Sequence, residues 1–336
     1  MGYLERSPGR AGGGRVNGGS EVYLLSVNVY LDTYISDALF TGKLVKSLLI
    51  DANPRLKEVF AKTSGSQPKL VHVTPLYQEV GGKVRCLYSY AVGSEDGGRG
   101  GRGVARVTIG RGTYRFYVGF VDGDVYGALG FDELYNTLLN ISGRHRFGNH
   151  DVVTELQSVG VVDAKLHARR AVEGLVSGGW KLRLVFSSPT LLRDPLRASK
   201  YKSLVPTPIN IFSTPVYILH YLKGKLTARN VMKTLLILHR LLNEPYSYLR
   251  TVSTRWVVYE RGRNPIPALV GYVNLYLNSS YYEQYAKRYE VEELLEKVLT
   301  VTSVLGTGTS RASGFGHVLV EVAKKLEQEH VRNGDL

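Results

Sequence analysis

Two passes of one element order constrain the fold of this chain more than anything else in it. In the first pass, 22–30 (VYLLSVNVY) is β-branched and aromatic and predicts a buried strand. From 39 to 51, Leu44, Val45, Leu48 and Leu49 mark one helical face, while Lys43 and Lys46 sit three apart on another. Asn53-Pro54 resets the chain and starts a second short helix ending near Lys62. Strands are expected at 69–77, 84–92 and 114–120, with the basic hairpin tip GGRGGRG at 97–103. A helix at 131–140 follows, then one or two strands over 151–172 that end in the basic cluster Lys165, His167, Arg169, Arg170. The second pass repeats the order: a strand at 180–186, helical segments over 213–242, strands at 252–259 and 267–277, a helix at 291–304 and a last strand at 317–322.

That order predicts an α+β chain of two tandem βαββαβ units, the ferredoxin-like (RRM-like) motif repeated. The expected units are 21–178 and 179–323, the second carrying a glycine-rich loop at 306–316 before its last strand. They are flanked by a basic tail at 1–20, with seven glycines and three arginines, and a charged tail at 324–336. No run approaches the roughly 18 apolar residues of a membrane span, and the N-terminus has no apolar h-region, so a soluble cytoplasmic protein is expected. The single cysteine, Cys86, excludes an internal disulfide framework and every multi-cysteine metal site. A net charge of +14 suits a polyphosphate partner, nucleic acid before membrane surface. The loop 187–208, with Arg193 and Lys202, reads as a basic surface for such a partner, as does the Lys165, Arg169, Arg170 cluster. Tyr281, Tyr282, Tyr285 and Tyr289 are either a stacking platform or a half-buried surface.

The segment GTGTSRASGFG, 306–316, fails as a dinucleotide fingerprint because Arg311 stands at the third glycine position and the helix precedes the loop. It fails as a Walker loop for want of Gly-Lys-Ser/Thr. Gly306, Gly308, Gly314 and Gly316 would let backbone N–H groups approach phosphate, with Arg311 as a positive fork; a plain turn explains the glycines equally well.

A G-x-G-x5-G-F-G loop before the last strand of a tandem ferredoxin-like chain resembles the signature of the RAMP superfamily of CRISPR-associated proteins. Within it, 40–60 (FTGKLVKSLLIDANPRLKEVF) with 68–77 (PKLVHVTPLY) resembles the sixth Cas family, the endoribonucleases that process CRISPR repeat RNA. FSSPT at 186–190 and VGYVNLYL at 270–277 resemble segments of that family's second domain. The resemblance implies metal-independent, cofactor-free cleavage of repeat RNA by 2′-OH attack, giving 2′,3′-cyclic phosphate and 5′-OH ends. It implies repeat RNA as partner, possible subunits of an interference complex, and a monomer or homodimer. Many members carry a histidine on the short helix after Asn-Pro, where this chain has none. Some archaeal members use lysines instead, and Lys43, Lys46 and Lys69 occupy those places. A lysine near pKa 10.4 is a poor base, so phosphate stabilisation and proton donation come first, and base work requires a depressed pKa. The rival expectation is a non-catalytic RAMP subunit that holds the guide RNA.

Overall fold

The computed structural model describes residues 14–17, 20–61, 67–92, 103–123, 128–178, 180–197, 202–245 and 248–324. The tip 97–103, bar its last residue, and the tail 325–336 lie outside them. The first unit runs β1 (Ser20–Asp32), α1 (Gly42–Ala52), α2 (Leu56–Phe60), β2 (Val71–Val73), β3 (Tyr77–Val80), β4 (Lys83–Cys86), β5 (Gly112–Asp122), α3 (Phe131–Leu139), β6 (Gly143–Phe147) and β7 (His150–Val162). Its antiparallel sheet has the order β6-β7-β1-β5-β3-β4, with β2 also on β5. The α4 helix (Ala164–Val176) leads into the second unit: β8 (Trp180–Thr190), α5 (Pro208–Leu222), α6 (Ala228–Leu241), β9 (Val252–Val257), β10 (Ile266–Leu277), α7 (Ser279–Tyr289), α8 (Val291–Leu305) and β11 (Val318–Lys324). There the sheet order is β11-β8-β10-β9. Both units thus show the fourth-first-third-second strand order of the ferredoxin-like motif, twice over, as expected.

Several boundaries differ from the sequence reading for physical reasons. Gly14–Asn17, expected in the tail, pairs with β1. The expected strand 84–92 divides: β4 stays in the first sheet, whereas Tyr90–Val92 pairs with β9 and with Gly103–Ala105, so this hairpin extends the second sheet. The Lys165–Arg170 cluster is helical, because Asp163 caps α4 by accepting from the Leu166 N–H at 2.9 Å. The helical segments expected over 213–242 are two helices, α5 beginning earlier, at Pro208, and ending at Leu222, before Lys223-Gly224, where Gly224 has φ +63°, and α6.

The two units share packing. The second core, built on Leu182, Leu235, Leu295 and Val298, also takes in Val22, Leu24 and Val121 of the first. Gly119 of β5 meets the end of α8 so closely that a Cβ there would lie 1.7 Å from the Val304 carbonyl oxygen. Phe40 stacks on Phe315 at 4.4 Å, fixing the start of α1 against the glycine-rich loop. No helix among the described residues is long and apolar enough to cross a membrane.

Candidate nucleic-acid site

The α1 helix buries Leu44, Val45, Leu48 and Leu49, which leaves Lys43 and Lys46 toward its free side. Thr41, just before it, ties it down instead of capping it: the hydroxyl donates to the Leu87 carbonyl at 2.6 Å and accepts from the Leu76 N–H at 2.9 Å. Gly42 faces the loop with no room for a side chain, since a Cβ would sit 2.5 Å from the Ser313 carbonyl oxygen.

The two α1 lysines diverge. The Lys43 amine bonds Glu260 at 3.2 Å and lies 4.0 Å from the Tyr259 ring centre, in a groove shared with Phe147 and His150. By contrast, the Lys46 amine sits over the Phe60 ring at 5.2 Å, and the Lys69 amine donates to the Phe60 carbonyl at 2.6 Å. Lys46 and Lys69 therefore meet at the end of α2, while Lys43 points elsewhere. Burial holds the Lys46 pKa below its ordinary value. Burial first, then the charges of Lys46 and Arg311, bring Lys69 down to about 8.

Arg311 is not the free phosphate fork expected from the sequence. It is only 6% exposed and donates to the Leu305 carbonyl at 2.5 Å and the Lys69 carbonyl at 2.8 Å. It joins the end of α8 to the backbone of Lys69, and it also lines the cleft below the loop. Burial lowers its own pKa to about 10. Three of the four loop glycines have no N–H to offer a phosphate. The N–H groups of Gly306, Gly314 and Gly316 are taken by the carbonyls of Thr302, Arg311 and Pro189. What demands glycine is close packing at positive φ: a Cβ on Gly308 would lie 2.2 Å from the Leu191 carbonyl oxygen, and one on Gly316 2.0 Å from that of Thr307.

Below the loop lies a cleft of about 500 Å³ lined by Lys69, Arg193, Arg197, Tyr217, Gly308 and Ser310, among others. The paired strands Leu192–Arg193 and Lys202–Ser203 set Arg193 opposite Lys202. Arg197, which carries an ion pair to Asp194 at 3.2 Å, and Tyr217 were not singled out from the sequence; only the basic character of their segment pointed there. Lys165 and Arg169 instead pair with Glu296 of α8, at 4.0 and 3.2 Å, and brace α4. Arg170 remains exposed.

Two histidines lie behind the loop. His72 and His317 are buried with rings 5.7 Å apart, and His317 Nδ1 lies within hydrogen-bond range of the Tyr77 and Ser187 hydroxyls at 2.8 and 3.0 Å. Burial drives the His317 pKa to about 3 and that of His72 well below its usual value. Among the described residues no cluster of three or more His, Cys, Asp or Glu is placed to hold a metal ion.

No family model matches the chain, and no curated protein matches it by sequence. Solved structures do match by fold. A Cas6 product complex superposes with a TM-score of 0.53 at 13% identity, over 89% of this chain and 99% of that one. A partial Cas6-RT-Cas1–Cas2 complex gives 0.50 at 14% identity, over 90% of this chain and 46% of that one. The product of a Cas6-related gene from Pyrococcus furiosus gives 0.44 at 9% identity, over 89% of this chain. At such identities the first two establish a shared fold across nearly the whole chain.

Proposed function

We propose that this protein is a Cas6-like endoribonuclease that binds and cuts CRISPR repeat RNA without a metal ion. The observation that carries the reading is Lys69, which lines a basic cleft and is brought to a pKa of about 8, with the Lys46 amine near it at the Phe60 ring. Cleavage by the neighbouring 2′-OH needs a base at that hydroxyl, a proton for the leaving 5′-oxygen and positive charge on the pentavalent phosphate. With its pKa near 8, Lys69 is neutral in about a tenth of molecules at pH 7, whereas an unperturbed lysine is neutral in fewer than one in a thousand. The neutral Lys69 amine takes the 2′ proton, and the oxygen closes on phosphorus as the bond to the 5′-oxygen breaks. The Lys46 ammonium stabilises the non-bridging oxygens and supplies the proton to the leaving 5′-oxygen. The products are a 2′,3′-cyclic phosphate and a 5′-OH, and exchange with water restores both amines. Arg311 acts as a positioning residue that holds the Lys69 backbone, and Arg193 and Arg197 hold the flanking phosphates.

The test is incubation of the purified protein in EDTA with its host's repeat RNA, beside the same RNA carrying one 2′-deoxy sugar at the cut. Cleavage at one position, blocked by the deoxy sugar and impaired by Lys46→Ala, is expected. Tight binding without cleavage would move the protein to the guide-holding RAMP reading.

A further inference from the structure

The α6 helix contains no acidic residue, and Arg229, Lys233, Leu236 and Arg240 recur along one exposed side of it. Leu236 is 45% exposed in the middle of that stripe. Beside it, α7 presents Tyr281, Tyr285 and Tyr289 at four-residue spacing, with ring centres 4.7 and 5.7 Å apart. The two helices touch along their length: the Lys233 amine lies 5.8 Å from the Tyr289 ring centre, and the charge of Arg240 acts on the Tyr281 hydroxyl. Arg288 adds a second cation 5.5 Å from Tyr289.

A buried-helix explanation accounts for part of this surface and fails for the rest. Tyr281 and Tyr289 rest partly on the second core, whereas Tyr285 does not, and Leu236 faces solvent among cations. Planar rings interleaved with positive charge are what successive bases and phosphates of an unpaired strand require. The ladder spans about 12 Å along the helix, room for two or three nucleotides. The same helix borders the cleft: Val231, on the buried side of α6, lines it, and the exposed stripe runs along the other side of that wall.

We propose that the α6–α7 surface binds a single-stranded RNA flank as it leaves the cleft, stacking two or three bases along Tyr289, Tyr285 and Tyr281 with phosphates toward Lys233 and Arg240. This rests on the reading of the cleft as the RNA site, and it adds a second contact region that cutting itself does not need.

The test compares the full-length protein with Tyr285→Ala and with the double variant Tyr285→Ala, Lys233→Gln. Binding is measured for 2′-deoxy-blocked RNAs holding the repeat core alone, the core with ten extra unpaired nucleotides 5′, and the core with ten 3′. One extended RNA should bind the wild type tighter than the core by tenfold or more. Tyr285→Ala should remove about tenfold of that gain, and the double variant nearly all of it. Core binding and core cleavage should stay unchanged. Tyr285→Leu, which keeps the apolar contact without the ring, should lose the gain as well, separating stacking from folding. Equal affinity for all three RNAs, or a gain that survives in the double variant, would overturn this inference while leaving the cleft reading intact. Failure of the wild type to bind even the core would overturn the cleft reading, and this inference with it.

Discussion

If neutral Lys69 is the base, the pH dependence of cleavage is fixed by its surroundings. With a pKa of about 8, its neutral fraction is about a hundredth at pH 6, a tenth at pH 7 and a half at pH 8. Single-turnover cleavage under saturating RNA should therefore rise about tenfold from pH 6 to 7, about fivefold from 7 to 8, and level off near pH 9. An ordinary lysine would give a tenfold rise per unit through pH 9 without a bend. Lys69→Arg keeps the charge and removes the titration, so the rate should fall by about two to four orders of magnitude. Lys46→Gln removes a like charge that helps depress Lys69, so the bend should move to higher pH while the plateau falls. The same shift governs stability. A lysine whose folded pKa lies below its unfolded value destabilises the fold while charged, so this penalty is full below pH 8 and fades as pH rises from 8 toward 10.5. Rapid-quench measurement across pH 6 to 9.5 reads the activity profile. A flat profile, or an active Lys69→Arg enzyme, would sink the base assignment.

Three further outcomes test the frame around it. Arg311→Met strips the donor from two carbonyls and should cost about 2–4 kcal/mol in chemical denaturation, while the cleavage bend moves to higher pH because a depressing charge is gone. Gly316→Ala and Gly178→Ala share φ +82°, yet only the first drives a Cβ to 2.0 Å from a carbonyl; both carry the left-handed cost of about 1–2 kcal/mol, and Gly316→Ala should be the more destabilising by at least as much again in thermal melts. Arg193→Ala should weaken repeat-RNA binding and lower the slope of log K against log salt by about 0.7 to 1, the signature of one lost phosphate contact.

The architecture was legible because each strand and helix of a ferredoxin-like unit carries its own periodicity, and the apolar positions of α1 show the helix face directly. What periodicity cannot carry is the direction of a side chain that has a choice. Lys43 and Lys46 are three apart and look equivalent on a helical wheel, yet Glu260 and Tyr259, more than two hundred residues on, draw one amine away while the ring and carbonyl of Phe60 gather the other with Lys69. Arg311 was misread for a related reason. A basic residue among glycines suggests an open anion cradle, but here backbone from Leu191 and Thr307 presses against Gly308 and Gly316, and the guanidinium is turned inward to the Leu305 and Lys69 carbonyls. The burial of Arg311 places its charge against Lys69. On the proposed mechanism, the part of this loop is to help lower the pKa of its lysine neighbour, behind burial and the charge of Lys46.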